Sequence, residues 1–148
     1  MKGFGTMIDS TDLQILDLLK NNSRMQWKDI GKNVHMTGQS VGNRIRKMED
    51  GGVIKAYTIL VDHLKLGMQY TAFITVFMKT NEHTTFTSFI TKEDSIVEAH
   101  KISGEGCYFL KVQIDSQENL HNLLNEILRF GNYRLNLSIH QIKETYSR

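Results

Sequence analysis

Proline is absent from this 148-residue chain, and cysteine occurs once, as Cys107. A lone thiol cannot form a disulfide within the chain, which excludes a disulfide-stapled scaffold and makes a reducing cytoplasm the expected location. No stretch approaches the roughly 18 consecutive apolar residues of a membrane span, and the N-terminus lacks the apolar run of a secretory signal, so no membrane partner is expected. The six histidines show neither a His-x-x-x-His pair nor a compact Cys/His spacing, so no metal site is read. Paired carboxylates, a nucleophile beside a base and a phosphate loop are missing at any meaningful spacing, and neither an enzyme nor a cofactor is expected. A strong charge of one sign is lacking too. The net charge of +2 is too small to argue for nucleic acid by itself.

The distribution of that charge says more. From Arg24 to Lys55 there are seven basic residues against three acidic ones, whereas from His63 onward nine of each cancel. The positive field is local, which suits a binding face. The apolar fraction of 40% and charged fraction of 23% are those of a globular chain.

Within the basic region lies Met36-Thr37-Gly38-Gln39-Ser40-Val41-Gly42-Asn43-Arg44-Ile45-Arg46-Lys47-Met48-Glu49-Asp50-Gly51-Gly52-Val53-Ile54. As a helix it places Val41, Ile45 and Met48 on one face. Gln39, Asn43, Arg46 and Asp50 point the other way, with Ser40 and Lys47 beside them. Thr37 is the expected N-cap, and Gly51-Gly52 the stop. Amides near the start of a basic face, backed by an apolar stripe, are what a DNA recognition helix needs; a solvated amphipathic helix has the same pattern.

Two helices are expected before it. Asp9 and Asp12 sit where a helix dipole favours acids, followed by an apolar side of Leu13, Ile15, Leu16, Leu18 and Leu19. Trp27, Ile30 and Val34 form the buried stripe of a second helix over 26–34, with Gly31 explained by a close helix crossing. The three make a helix-turn-helix. Val53 to Val61 is β-prone and is expected as the start of a wing.

The remainder has the order β-α-β-β-α-β of a ferredoxin-like domain. Strands are expected over 70–79, 96–103, 106–115 and 133–143. Helices are marked by Phe86, Phe89 and Ile90, and by the stripe Leu120, Leu123, Leu124, Ile127 and Leu128, the latter opened by an Asp115/Glu118 capping box and ended by Gly131. Ser103-Gly104-Glu105-Gly106 is a four-residue hairpin connection. Two helices cover one face of such a sheet. Phe73, Phe77 and Phe109 on the other face imply a homodimer. The fold class is therefore α+β: a winged helix-turn-helix domain (1–56), a strand and connector (57–69), and a ferredoxin-like domain for dimerisation and possible effector binding (70–148).

This organisation resembles the Lrp/AsnC family of regulators. The motifs that carry the resemblance are Ile8-Asp9-x-x-Asp12-x-x-Ile15-Leu16-x-x-Leu19, then Asn22-Ser23-Arg24 with Asp29-Ile30-Gly31, and above all the run from Met36 to Ile54. The resemblance implies a DNA-binding transcriptional regulator that forms homodimers, often octamers, and senses a small molecule, typically an amino-acid effector, near the hairpin Ser103, Gly104, Glu105, Gly106 and Cys107. Cys107 stands where the family usually has aspartate, and Leu135 and Asn136 where it has a Thr/Ser pair. A thiol cannot match a carboxylate as partner to an amino group.

The expected DNA-binding residues are Thr37, Gln39, Ser40, Asn43, Arg44, Arg46 and Lys47, on double-stranded DNA. Gln39, Ser40 and Asn43 are placed to reach base edges, and Arg46 and Lys47 phosphates. Arg44 borders the apolar stripe and suits either a phosphate or an internal ion pair. Trp27 is expected in the core. The competing reading is a ligand-binding or assembly protein whose helix-turn-helix does not read specific DNA.

Overall fold

The computed structural model describes residues 7–144. The first six residues and the last four, which the sequence assigns to the two end domains, lie outside them. The described residues divide into two compact units, 7–60 with 143–144, and Val61–Ile142.

The first unit holds three helices, α1 (Ser10–Asn21), α2 (Trp27–Val34) and α3 (Gly38–Asp50). A reciprocal capping box opens α1. The Asp12 backbone N–H donates to Asp9 Oδ1 at 2.9 Å, and the Asp9 N–H to Asp12 Oδ2 at 3.0 Å. His35 ends α2 in the left-handed conformation, φ +56°. Met36 then turns back, its N–H donating to the Gly31 carbonyl at 2.9 Å. A Cβ on Gly31 would collide with the Met36 carbonyl. The close approach behind this glycine is therefore the turn itself, not a helix crossing. Gly52, at φ +72°, closes α3, and the N–H groups of Val53 and Ile54 both donate to the Met48 carbonyl.

Ile15, Ile30, Val41, Ile45 and Met48 make the core, flanked by Ile8, Leu16, Leu18, Leu19, Met25, Val34, Met36 and Ile54. Three expectations are corrected here. Leu13 is exposed, because it sits two residues from Ile15, about 200° away around the helix. Trp27 is 40% exposed and outside the core. The wing strand is not formed: among the described residues, 53–61 pair with no strand, and a strand needs a partner for its backbone groups. The segment is instead held at Tyr57, whose hydroxyl donates to Glu49 Oε1 at 2.7 Å; burial, then Glu49, push that hydroxyl up to about 12.

The second unit runs β1 (Tyr70–Met78), α4 (His83–Lys92), β2 (Ile96–Lys101), β3 (Tyr108–Ile114), α5 (Gln117–Leu128) and β4 (Gly131–Leu137). The sheet is antiparallel throughout, in the order β2-β3-β1-β4. Ala72, Ile74, Val76, Leu110 and Val112 form its covered face, packed with Phe86 of α4 and Leu120, Leu123, Leu124 and Ile127 of α5. On the opposite face the Phe73 and Phe109 rings stack at 5.9 Å and Arg134 lies over Phe77 at 5.8 Å; all three phenyl rings stay half-buried.

The ends of these elements also depart from expectation. Ser116, not Asp115, caps α5, accepting from the Asn119 N–H at 3.2 Å, while Asp115 accepts from the Asn119 side chain at 2.7 Å. Leu128 is 47% exposed because α5 ends there; Phe130 takes its place in the core, 4.9 Å from Phe86. Gly131 does not end the helix but opens β4, where a Cβ would collide with the Phe77 carbonyl. β4 stops at Leu137, and Ile139 is wholly exposed.

Phe86 is fully buried and touches Phe89, Tyr108 and Phe130. Phe86→Ala is expected to cost about 3–5 kcal/mol, measured by urea denaturation followed by circular dichroism; a loss under about 1 kcal/mol would remove this ring cluster as the centre of the second core.

Candidate nucleic-acid interface

Burial of Val41, Ile45 and Met48 fixes the rotation of α3 and so decides which residues face outward. Gln39, Asn43, Arg46 and Lys47 are exposed. Among the described residues the side chains of Gln39 and Lys47 make no hydrogen bond or ion pair, so their amide and ammonium are available to a ligand. Asn43 Oδ1 accepts from Arg46 Nη1 at 3.4 Å, and the Arg46 guanidinium lies over the Trp27 ring at 5.2 Å.

Thr37 and Ser40 are occupied with the helix start. Thr37 Oγ1 accepts from the Ser40 N–H at 3.2 Å and donates to Ser40 Oγ at 2.9 Å. Arg44 takes the internal one of its two open roles. Its Nη1 donates to Asp9 Oδ2 at 2.7 Å and to Asp12 Oδ1 at 2.9 Å. The same guanidinium thus ties α3 to the capping box of α1. Beside it lies a depression of about 420 Å³ lined in part by Asp9, Asp12, Ser40, Asn43, Arg44 and Lys47.

The hydrogen bond from Arg44, and next the backbone of Asp12, hold the Asp9 carboxyl below the usual carboxylate range. The two carboxylates raise Arg44 further above its already high value. A carboxyl whose pKa is lower in the folded protein supports the fold above its unfolded pKa and stops doing so as pH falls through its folded value.

In the second unit the Ile102 N–H donates to the Cys107 carbonyl at 3.0 Å, closing a loop of the four residues between them. Ser103, Gly104 and Glu105 are exposed; Gly106 and Cys107 are half-buried. Gly104 and Gly106 take φ +92° and +98°. Thr75 of β1 would meet a Cβ on Gly106 at 2.6 Å, so the hairpin lies tightly on β1, and the Cys107 N–H donates to the Val76 carbonyl at 2.8 Å. Glu105 approaches Arg134 at 3.9 Å. These residues converge, but they are absent from the linings of the depressions at the β2–α4 and β3–α5 sides of this unit. Leu135 is half-buried and Asn136 exposed on β4. Among the described residues, no group of three or more His, Cys, Asp or Glu is placed to hold a metal ion, and no helix is long and apolar enough to cross a membrane.

Sequence reasoning missed Trp27 as part of this surface. A helical stripe reading places it inside; the signal that reveals it is Gly42, a glycine in mid-helix where a ring needs room. Removing the ion pair tests the internal role of Arg44. Arg44→Ala is expected to destabilise the first unit by about 1–2 kcal/mol at neutral pH, because Asp12 stays buried without its cation. The wild type should lose stability as pH falls below about 4, and the variant should lose less. Thermal melts from pH 7 to 3 check both; parallel curves would contradict the pairing.

Two family models match the chain: an AsnC-type helix-turn-helix domain over residues 8–49 and an Lrp/AsnC ligand binding domain over residues 71–148. The HTH-type transcriptional regulator LrpB of Bacillus subtilis (strain 168) is 55% identical over 140 residues, covering 95% of this chain and 94% of that protein. LrpA of the same organism is 36% identical, covering 90% and 98%. The solved structure of B. subtilis LrpC superposes with a TM-score of 0.87 at 28% identity, covering 93% of this chain and 98% of that one. A Neisseria meningitidis transcriptional regulator solved as an L-Met complex shares the fold, with a TM-score of 0.86 at 21% identity over 96% and 97% of the two chains. The chain belongs to the Lrp/AsnC family of helix-turn-helix transcriptional regulators.

Proposed function

We propose that this regulator reads duplex DNA with α3, Gln39 and Asn43 meeting base edges while Arg46 and Lys47 hold phosphates. The observation that carries it is the exposure of two amides on the same face of a helix whose other face is sealed in a core. An amide that offers a donor and an acceptor together can pair bidentately with adenine. Thr37 and Ser40 act by setting the start of α3, and Arg44 by fixing its angle to α1, more than by touching DNA. Residues 1–56 are the DNA-binding domain, 57–69 the connector, and 70–148 the domain that pairs with a second copy.

Two features of the second domain support pairing. Its sheet face opposite the helices carries Phe73, Phe77 and Phe109, and its hairpin presents Ser103 and Glu105 to solvent, outside the linings of the depressions beside α4 and α5. A small-molecule site at that hairpin would be completed by a neighbouring copy, in a homodimer or an octamer, in the cytoplasm where the DNA is. The family match to a ligand-binding domain and the L-Met complex of the Neisseria protein favour an amino acid as the effector. The thiol at Cys107 favours one gripped by its carboxylate or side chain more than by its amino group.

Selection of bound duplexes from a random library should return one recurrent sequence, and selection with each amino acid added should shift its affinity for at least one of them. On the selected duplex, Asn43→Ala is expected to cost about 1–3 kcal/mol and to relax preference at one base position. Lys47→Ala should weaken selected and scrambled DNA alike and lower the slope of log affinity against log salt by about one. Unaltered discrimination by the first variant, or an unaltered slope for the second, would sink the corresponding role.

A further inference from the structure

We infer that Trp27 is a specificity-determining positioning residue, whose indole plate holds Arg46 and through it sets the side-chain amide of Asn43. The inference rests on the reading of α3 given above and deepens it.

The core of the first unit closes without Trp27: Ile15, Ile30, Val41, Ile45 and Met48 are all buried while the indole remains 40% exposed. The ring nevertheless has a made seat. Its Cε3 and Cζ3 atoms lie 2.5 Å from where a Cβ on Gly42 would be, so only glycine lets the indole rest on the α3 backbone. Glycine in a helix interior costs about 1 kcal/mol relative to alanine, and here the cost coincides with the placement of a large apolar ring at the surface. One turn further along α3, Arg46 covers that ring at 5.2 Å from its centroid. Its Nη1 then donates to Asn43 Oδ1 at 3.4 Å.

The chain of contacts has a directional consequence. An asparagine amide rotates easily, and its oxygen and nitrogen demand opposite partners. A guanidinium beside Oδ1 favours the orientation that turns the oxygen toward Arg46 and the Nδ2 donors away from it. A long arginine side chain is costly to order, and a flat aromatic face orders its planar head before DNA arrives. Trp27 thereby acts on base reading without reaching a base. A lysine at position 46 would keep the charge but lose the stacking plane and the fork.

The test uses the full-length protein and a duplex it selects from a random library, against a scrambled duplex. Trp27→Leu, which keeps apolar cover, is expected to lower the selected-to-scrambled affinity ratio by about two- to fivefold, the scale of an exposed cation–π contact. Trp27→Phe, which keeps a ring, should restore most of the ratio. In an Arg46→Ala background, Trp27→Leu should change the ratio little, because the contact it serves is already gone. Equal ratios for the Leu and Phe variants, or an undiminished loss in the Arg46→Ala background, would overturn the inference while leaving DNA reading by α3 intact. A wild type that selects no sequence overturns both. Should the Leu variant fail to melt cooperatively, the same cycle run with Trp27→Met and Arg46→Lys decides it: coupled losses support the plate, additive ones refute it. The emission of Trp27, the chain's one tryptophan, is an independent readout. Arg46→Ala should shift it with no DNA present, and an identical spectrum counts against the contact.

Discussion

The DNA-binding unit depends on how closely α2 and α3 approach. The turn between them works because Gly31 leaves room for the Met36 carbonyl, and Gly42 leaves room for the Trp27 ring. A methyl group at Gly31 would collide with the backbone of the turn into α3, and one at Gly42 with the indole that α2 lays against α3. The rotation of α3 would follow, since Val41, Ile45 and Met48 fill the space that this approach defines. Close-packed interiors do not absorb such shifts smoothly. The outward set of Gln39, Asn43, Arg46 and Lys47 is therefore a consequence of backbone proximity, not of their own contacts alone.

Arg44 supplies the second constraint on the same helix. Its two carboxylate partners are the residues that cap α1, so one network sets both the start of α1 and the attachment of α3. A charge pair of this kind is directional where an apolar contact is not. The five-residue core holds the helices together; the ion pair resists the rotation that the core alone would permit. Tyr57, pinned to Glu49, does the same for the segment leaving α3.

Much of this was legible in the sequence, for physical reasons. The period of Val41, Ile45 and Met48 identified the buried face of α3, and the alternation of Ala72, Ile74 and Val76 that of β1, because both patterns follow from backbone geometry. The reading of Ser103 to Gly106 as a four-residue connection rested on glycines whose positive φ the structure displays. What was not legible depended on residues distant in sequence. Trp27 fits a helical stripe, yet its place is decided by Gly42. Leu128 fits a stripe too, but Phe130 reaches the core after the helix has ended. The residues from Val53 to Val61 have strand composition and no partner strand among the described residues of this chain. Propensity reports what a segment suits, and pairing is a property of what lies beside it.

The charge balance of the first unit argues for how such a regulator must work. Of the seven basic residues from Arg24 to Lys55, Arg44 is neutralised by Asp9 and Asp12, and Lys32 by Asp29 at 3.1 Å. On α3 that leaves Arg46 and Lys47. Each phosphate contact releases about 0.9 of a counterion, so under the proposed roles of Arg46 and Lys47 a single α3 would have a weak electrostatic hold on DNA. Two copies double the phosphate contacts, and the base preferences of two α3 helices multiply when half-sites lie about one helical turn apart. In the function proposed above, a domain that pairs copies would supply the affinity that one α3 lacks. The half-buried phenyl rings on the open sheet face offer the apolar surface for it, and any ligand that alters that pairing would alter DNA binding by the same linkage.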